Sequence, residues 1–182
     1  MGVQMSVSAG PAAHENTCRL VIGKERSLAE ILQFVIAGLE VGQQVVVMAG
    51  ASCLKEIARG LAENALRPEA LLHSNRLVFL TAPNCLSELL KRTDPLRRSP
   101  LHPNGSMMRW VSDWSWAYSN GSEPGSVLEH QRRIHEFIRP FNALSLCTVH
   151  CEKLGRGSLL ALLADHRRAT RATAPQVMKR AV

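Results

Sequence analysis

Gln43-Gln44-Val45-Val46-Val47-Met48-Ala49-Gly50 is the stretch on which the architecture turns. It is a short β-branched apolar run held between Gly42 and Gly50. An apolar run without polar alternation suits a strand covered on both faces, as in a parallel sheet. Upstream, Leu28, Ile31, Leu32, Val35, Ile36 and Leu39 recur at helical spacing and form one apolar face. Ser27 with Glu30 three residues on predicts a capping box at the start of that helix, and Gly42 ends it. Thr17 to Ile22 reads as a first strand. Downstream, Ser52 to Leu66 predicts a helix with Leu54, Ile57, Ala58, Leu61 and Ala62 inward. A short helical piece starts at Pro68, and Arg76 to Thr81 is a third strand.

Farther on, Cys85 to Lys91 predicts a short helix. Residues 93–106 hold three prolines and a glycine, which predict an exposed, mobile loop. Met107 to Ser112 reads as a fourth strand and Asn120 to Gly125 as a loop. Val127 to Ile138 follows as a helix closed by Pro140. Ala143 to Val149 is a fifth strand and Leu159 to His166 a last helix. Strand and helix alternate throughout, which predicts an α/β fold. The expected form has three layers: a mostly parallel sheet of about five or more strands, with helices on both faces. Residues 1–13 read as a flexible leader and 169–182 as a basic, frayed tail.

Of the 182 residues, 46% are hydrophobic, enough for one full core. No apolar run is long enough to cross a membrane, and Met1 to Ala13 lacks the pattern of a secretory signal. Five cysteines without framework spacing fit reduced thiols, so a cytoplasmic location is expected. The net charge of +7 raises the question of nucleic acid. However, the excess sits in Arg97-Arg98, Arg132-Arg133 and the tail, with no aromatic residues interleaved for base stacking. Solvated basic faces are the simpler reading, and direct nucleic-acid binding is not expected.

Parallel sheets bind ligands at the carboxyl ends of their strands. After the central strand comes Gly50-Ala51-Ser52-Cys53-Leu54-Lys55-Glu56. A phosphate loop needs a second glycine and a Lys followed by Ser or Thr, and both are missing. Nucleotide hydrolysis is therefore not expected, although loose anion binding near Ser52 stays open. Cys147-Thr148-Val149-His150-Cys151 places thiols beside an imidazole, with His14 and Cys18 close if the first strand neighbours the fifth. Nucleophilic or metal chemistry and plain buried thiols are both compatible with it. Trp110, Trp114, Trp116 and Tyr118 cluster around Asp113 where the fourth strand leaves the sheet. They form either the wall of a pocket or a core plug.

Taken in order, these pieces resemble the MEDS domain, the sensory domain of the methanogen and methylotroph DcmR regulator. The resemblance rests on Gly38-Leu39-Glu40-Val41-Gly42 before the central strand, Asp113-Trp114-Ser115-Trp116-Ala117 after the fourth, Glu129, Leu146-Cys147 and His166. It spans residues 14–168. It implies a relative of the RecA and KaiC fold without a working phosphate loop. It also implies a non-enzymatic sensory or regulatory domain for a small molecule, such as a hydrocarbon derivative, in signal transduction or transcription control. His14 and Cys18 lie four apart where the family has two, and the usual tyrosines are replaced, which leaves open a different ligand or none.

On this reading the ligand-binding residues are His14, Cys18, Asp113, Trp114, Trp116, Glu129, Cys147 and His150. Trp114→Ala would then abolish binding and leave the fold intact. No motif requires a cofactor, a metal or catalytic residues. The expected partners are a small molecule and a protein of a signalling or transcription system, and a homo-oligomer is left open. The competing readings are a thiol- or metal-dependent enzyme using Cys147 and His150, and a protein-only scaffold.

Overall fold

The computed structural model describes residues 15–21, 24–82, 107–119, 124–138 and 143–150, together with 157, 160 and 164. The expected leader, the loop 93–106, the helix Cys85–Lys91 and the tail lie outside the described residues. So does nearly all of the expected last helix.

Five strands are described: β1 (Glu15–Val21), β2 (Gln44–Ala49), β3 (Leu77–Thr81), β4 (Met108–Asp113) and β5 (Ala143–His150). Every pairing is parallel, in the order β1-β5-β4-β2-β3. The expected α/β class with a parallel sheet is thus observed. The helices are α1 (Lys24–Glu40), α2 (Ala51–Glu63), α3 (Pro68–His73), α4 (Ser115–Ser119) and α5 (Pro124–Ile138). All six residues of β2 are buried, as its unbroken apolar run requires.

Alternation along the strands sorts the core into two clusters. Val45, Val47, Val111 and Leu146 pack with Ile31, Val35 and Leu39 of α1 and with Ile57 and Leu61 of α2. Val46, Met48, Trp110, Cys147 and Val149 pack with Ile134 and Ile138 of α5 and with Ala117 of α4. Each fully buried aliphatic side chain contributes about 1.5–3 kcal/mol relative to exposure.

Several boundaries move. Helix α1 begins at Lys24, so Ser27 lies inside its first turns and is 3% exposed. Its hydroxyl has no hydrogen-bond partner among the described residues, so it does not cap the helix. Lys24, Glu25 and Arg26 favour a helix strongly enough to extend it backwards past the expected cap. Helix α5 begins at Pro124, inside the expected loop, because proline is tolerated in a first helical turn. Helix α4 was not expected at all: its aromatic residues carry no helical period.

At the C-terminus of α1, Gly42 has φ +78°. Its N–H donates to Leu39 O at 3.1 Å, and Gln43 N–H donates to Gly38 O at 2.9 Å. This is a Schellman ending, and it places Gln44 at the start of β2. Helix α2 ends the same way, with Ala65 N–H on Ala62 O and Leu66 N–H on Leu61 O, but Ala65 holds φ 58°. A side chain in the left-handed region is strained by roughly 1–2 kcal/mol. Glycine removes that strain and gives back part of the gain as unfolded-state entropy. Ala65→Gly is therefore expected to stabilise the fold by about 0.5–1 kcal/mol in urea titration. A loss of stability would show that the strain is not real.

Candidate functional site

The connection after β2 runs outward to β3, whereas the connection after β4 runs the other way to β5. Strands β2 and β4 are neighbours, so their carboxyl ends flank a topological switch point, where open parallel sheets place ligands. On one side of this point are Ala49 and Gly50. On the other are Asp113 and Trp114.

Asp113 ends β4 and is 1% exposed. Its Oδ1 accepts a hydrogen bond from Thr148 Oγ1 at 3.1 Å, and its Oδ2 accepts one from Ser115 Oγ. Asp113 and Thr148 are register partners across β4 and β5, which is why the hydroxyl reaches the carboxylate. The backbone closes the same corner, with Trp114 N–H donating to Thr148 O at 3.2 Å. No Lys, Arg or His forms an ion pair with Asp113 among the described residues.

The three tryptophans occupy different places. Trp110 lies within the sheet rather than at its exit. It packs on Phe137 with ring centroids 6.0 Å apart, and its indole N–H donates to Ser112 Oγ at 2.9 Å. Trp114 is fully buried in the core that faces α5. Trp116 is half-buried on α4, 6.1 Å from Trp114 between ring centroids. It is pressed so closely on Gly50 that a Cβ there would sit 3.1 Å from the Trp116 Cβ. Hence Trp116 bridges from the end of β4 to the end of β2. The indole nitrogens of Trp114 and Trp116 are buried without a hydrogen-bond partner among the described residues. An unpaired buried donor costs about 1–3 kcal/mol, so each is a point where an acceptor would be welcome.

Of the remaining expected residues, Glu129 and Cys147 do not converge on this corner. Glu129 is on α5, partly exposed, and pairs with Arg132 and, at 3.1 Å, with Arg133. Cys147 is 2% exposed, belongs to the core and accepts a hydrogen bond from Gln131 Nε2 at 3.1 Å. Cys18 is its register partner on β1, so the expected adjacency of the first and fifth strands is present. His150 is the last residue of β5. The side chains of Cys18 and His150, and all of His14, lie outside the described residues. No group of three or more His, Cys, Asp or Glu side chains is placed to hold a metal among the described residues.

Helix α2 starts directly after Gly50, without a side-chain cap on its first turn. Ser52 and Lys55, the polar residues there, are exposed. Two members of the Asp113 corner were not anticipated. Ser115 has a local signal, a hydroxyl two residues after an aspartate. Thr148 has none, because its partnership depends on the β4–β5 register.

Among the described residues, no helix is long and apolar enough to cross a membrane. No curated protein and no solved structure matches the chain significantly. One family model does match, that of the methanogen/methylotroph DcmR sensory domain, over residues 17–167. That match spans most of the sequence and includes every described strand and helix except the first two residues of β1. The chain therefore belongs to the MEDS family of sensory domains.

Proposed function

We propose that this domain is a non-enzymatic sensor that binds a small molecule at the β2–β4 switch point and passes its occupancy to a signalling or transcription partner in the cytoplasm. The observation that carries the reading is the corner itself: a buried carboxylate, two indoles whose buried N–H groups are unpaired among the described residues, and Gly50 beneath Trp116. Such a mixture of apolar surface and a few orienting polar groups is what small-molecule sites use. A relative of the RecA and KaiC fold without a working phosphate loop fits the same picture, since Ser52 and Lys55 form no phosphate cradle with a second glycine. Hydrocarbon derivatives are the ligand class proposed. The burial of Cys147 and its bond to Gln131 support a core role for that thiol rather than a nucleophilic one.

All three tryptophans of the chain lie on β4, on α4 or at the junction between them, so intrinsic fluorescence reports on this one region. Titration with short alkyl alcohols, isobutanol first, is expected to give a saturable change in emission. Trp116 is half-buried, so Trp116→Ala is expected to fold and to weaken binding at least about tenfold, or 1.4 kcal/mol. A response that never saturates, or an affinity unchanged in Trp116→Ala, overturns the assignment.

A further inference from the structure

We propose that Cys18 and Cys147 form a redox pair, which an oxidant of the peroxide class closes into a reversible disulfide joining β1 to β5. The proposal does not rest on the small-molecule site above. It starts from the sheet register: Cys18 and Cys147 are Cα partners across β1 and β5. Register partners in a parallel pair stand on the same face of the sheet, because both strands alternate with the same period. Neighbouring strands lie about 4.7–4.9 Å apart, inside the roughly 4.4–6.8 Å of Cα separation that a disulfide spans. No other register pair of the described strands consists of two cysteines. Cys53, on α2, packs against the core cluster on the opposite face of the sheet from Cys147.

The geometry suits a switch better than a permanent staple. Parallel side chains hold their Cβ atoms about as far apart as the strands, beyond the roughly 3.8 Å mean of disulfides, so closure draws the strands together. Among the described strands β1 has a partner on one side only, so it can shift. A bond closed under strain is readily reduced, as in the redox-sensing disulfides of reducing compartments. Cys147 is 2% exposed, so the first step is assigned to Cys18 on the edge strand. Its thiolate attacks one oxygen of hydrogen peroxide. The O–O bond breaks and leaves a sulfenic acid and hydroxide, which takes up the thiol proton as water. The sulfur of Cys147 then attacks the Cys18 sulfur. The S–S bond forms, the S–O bond breaks, and the oxygen leaves as a second water with the proton of the Cys147 thiol. Both sulfurs are oxidised and one peroxide is reduced. Cys147 is thus the resolving thiol of a switch, not the nucleophile of an enzyme.

Closure also has a readout. Gln131 Nε2 on α5 donates to Cys147 Sγ at 3.1 Å. A sulfur drawn towards β1 leaves that donor, so the redox state is passed to α5. Cys147 belongs to the cluster that holds Trp110 and Trp114, so tryptophan emission follows the change.

The full chain is reduced, freed of reductant and treated with hydrogen peroxide under native conditions. The expected result is the loss of two of its five thiols, with a crosslinked peptide pair joining Cys18 to Cys147 after proteolysis. Tryptophan emission shifts in step and returns with dithiothreitol. Cys18→Ser is expected to abolish the crosslink and the emission change, whereas Cys53→Ser keeps both. A crosslink mapped to any other pair, oxidation that stops at sulfenic or sulfinic acid, or an emission change that persists in Cys18→Ser overturns the proposal. So does a thiol count that peroxide leaves unchanged. The peptide map of the wild type decides the matter even where Cys18→Ser fails to fold.

Discussion

Trp114→Ala is expected to destabilise the domain by about 3–5 kcal/mol, the range for removing a fully buried aromatic side chain. Trp114 has no exposed surface and sits in the cluster with Val46, Met48, Trp110, Ile134 and Ile138. Its rigid neighbours on β2 and β4 are pinned by sheet register, so the cavity cannot close. Total stability of a domain is only about 5–15 kcal/mol, so this one change removes a large share. For a chain of this size, each kcal/mol moves Tm by roughly 2–4 °C, so a fall of about 10 °C is expected. The sequence-based expectation that this variant leaves the fold intact is therefore corrected. Trp114→Phe keeps most of the apolar volume and removes the unpaired indole N–H, so its loss is expected to be clearly smaller. Urea titration of both variants checks this, and a loss below about 1 kcal/mol for Trp114→Ala would mean the ring is not a core element.

The second large effect is expected at the other end of the sheet. Arg109 on β4 reaches under α1: its Nε donates to Gln43 Oε1 at 2.8 Å and its Nη1 to Phe34 O at 2.8 Å. The guanidinium carbon lies 4.6 Å from the Phe34 ring centre. Burial lowers the Arg109 pKa, but a guanidinium starts so high that it stays charged. Arg109→Ala leaves a helix carbonyl and an amide oxygen without their donor, and charged hydrogen bonds are worth about 1.5–3 kcal/mol each. With some rearrangement, a loss of about 3 kcal/mol is expected. Lysine is a poor replacement, because one ammonium cannot serve two acceptors set at the angles of a guanidinium fork.

Gly38 is part of the same arrangement. A Cβ there would sit 2.6 Å from Arg109 Cδ and 3.0 Å from Val45 Cγ2. In an ordinary helix Gly→Ala gains about 1 kcal/mol. Here the clash displaces Arg109 from both acceptors, and Gly38→Ala is expected to be net destabilising. The double variant decides the mechanism. If Gly38 exists to admit Arg109, Gly38→Ala costs much less in the Arg109→Ala background than in the wild type. Additive losses would assign the cost to Val45 instead.

Strand β2, helix α2 and the ending of α1 were legible along the chain because each rests on a local rule. An unbroken β-branched run makes a doubly covered strand, a 3.6-residue period makes an amphipathic helix, and Gly42 accepts a left-handed backbone. The absence of a second glycine and of a Lys followed by Ser or Thr after Gly50 is likewise read from consecutive residues. Helix α4 was not, because Trp114 to Tyr118 satisfies no period and is held by the surrounding core. The start of α1 was misplaced because Ser27 has the chemistry of a cap but lies where the chain is already helical.

Asp113 stood out as a candidate from its place after a strand and among tryptophans, but its hydroxyl partner Thr148 lies 35 positions away. Glu129 looked like part of the same site and instead faces two arginines on its own helix. Trp114 and Trp116 were indistinguishable as letters, yet one is core and the other rests on Gly50 across the sheet. What the order of residues settled was most of the strands and longer helices with their apolar faces, because those depend on neighbours a few positions apart. Which side chains meet was settled by strand order and register, because a parallel sheet joins distant segments and a one-residue slip sends every side chain to the opposite face.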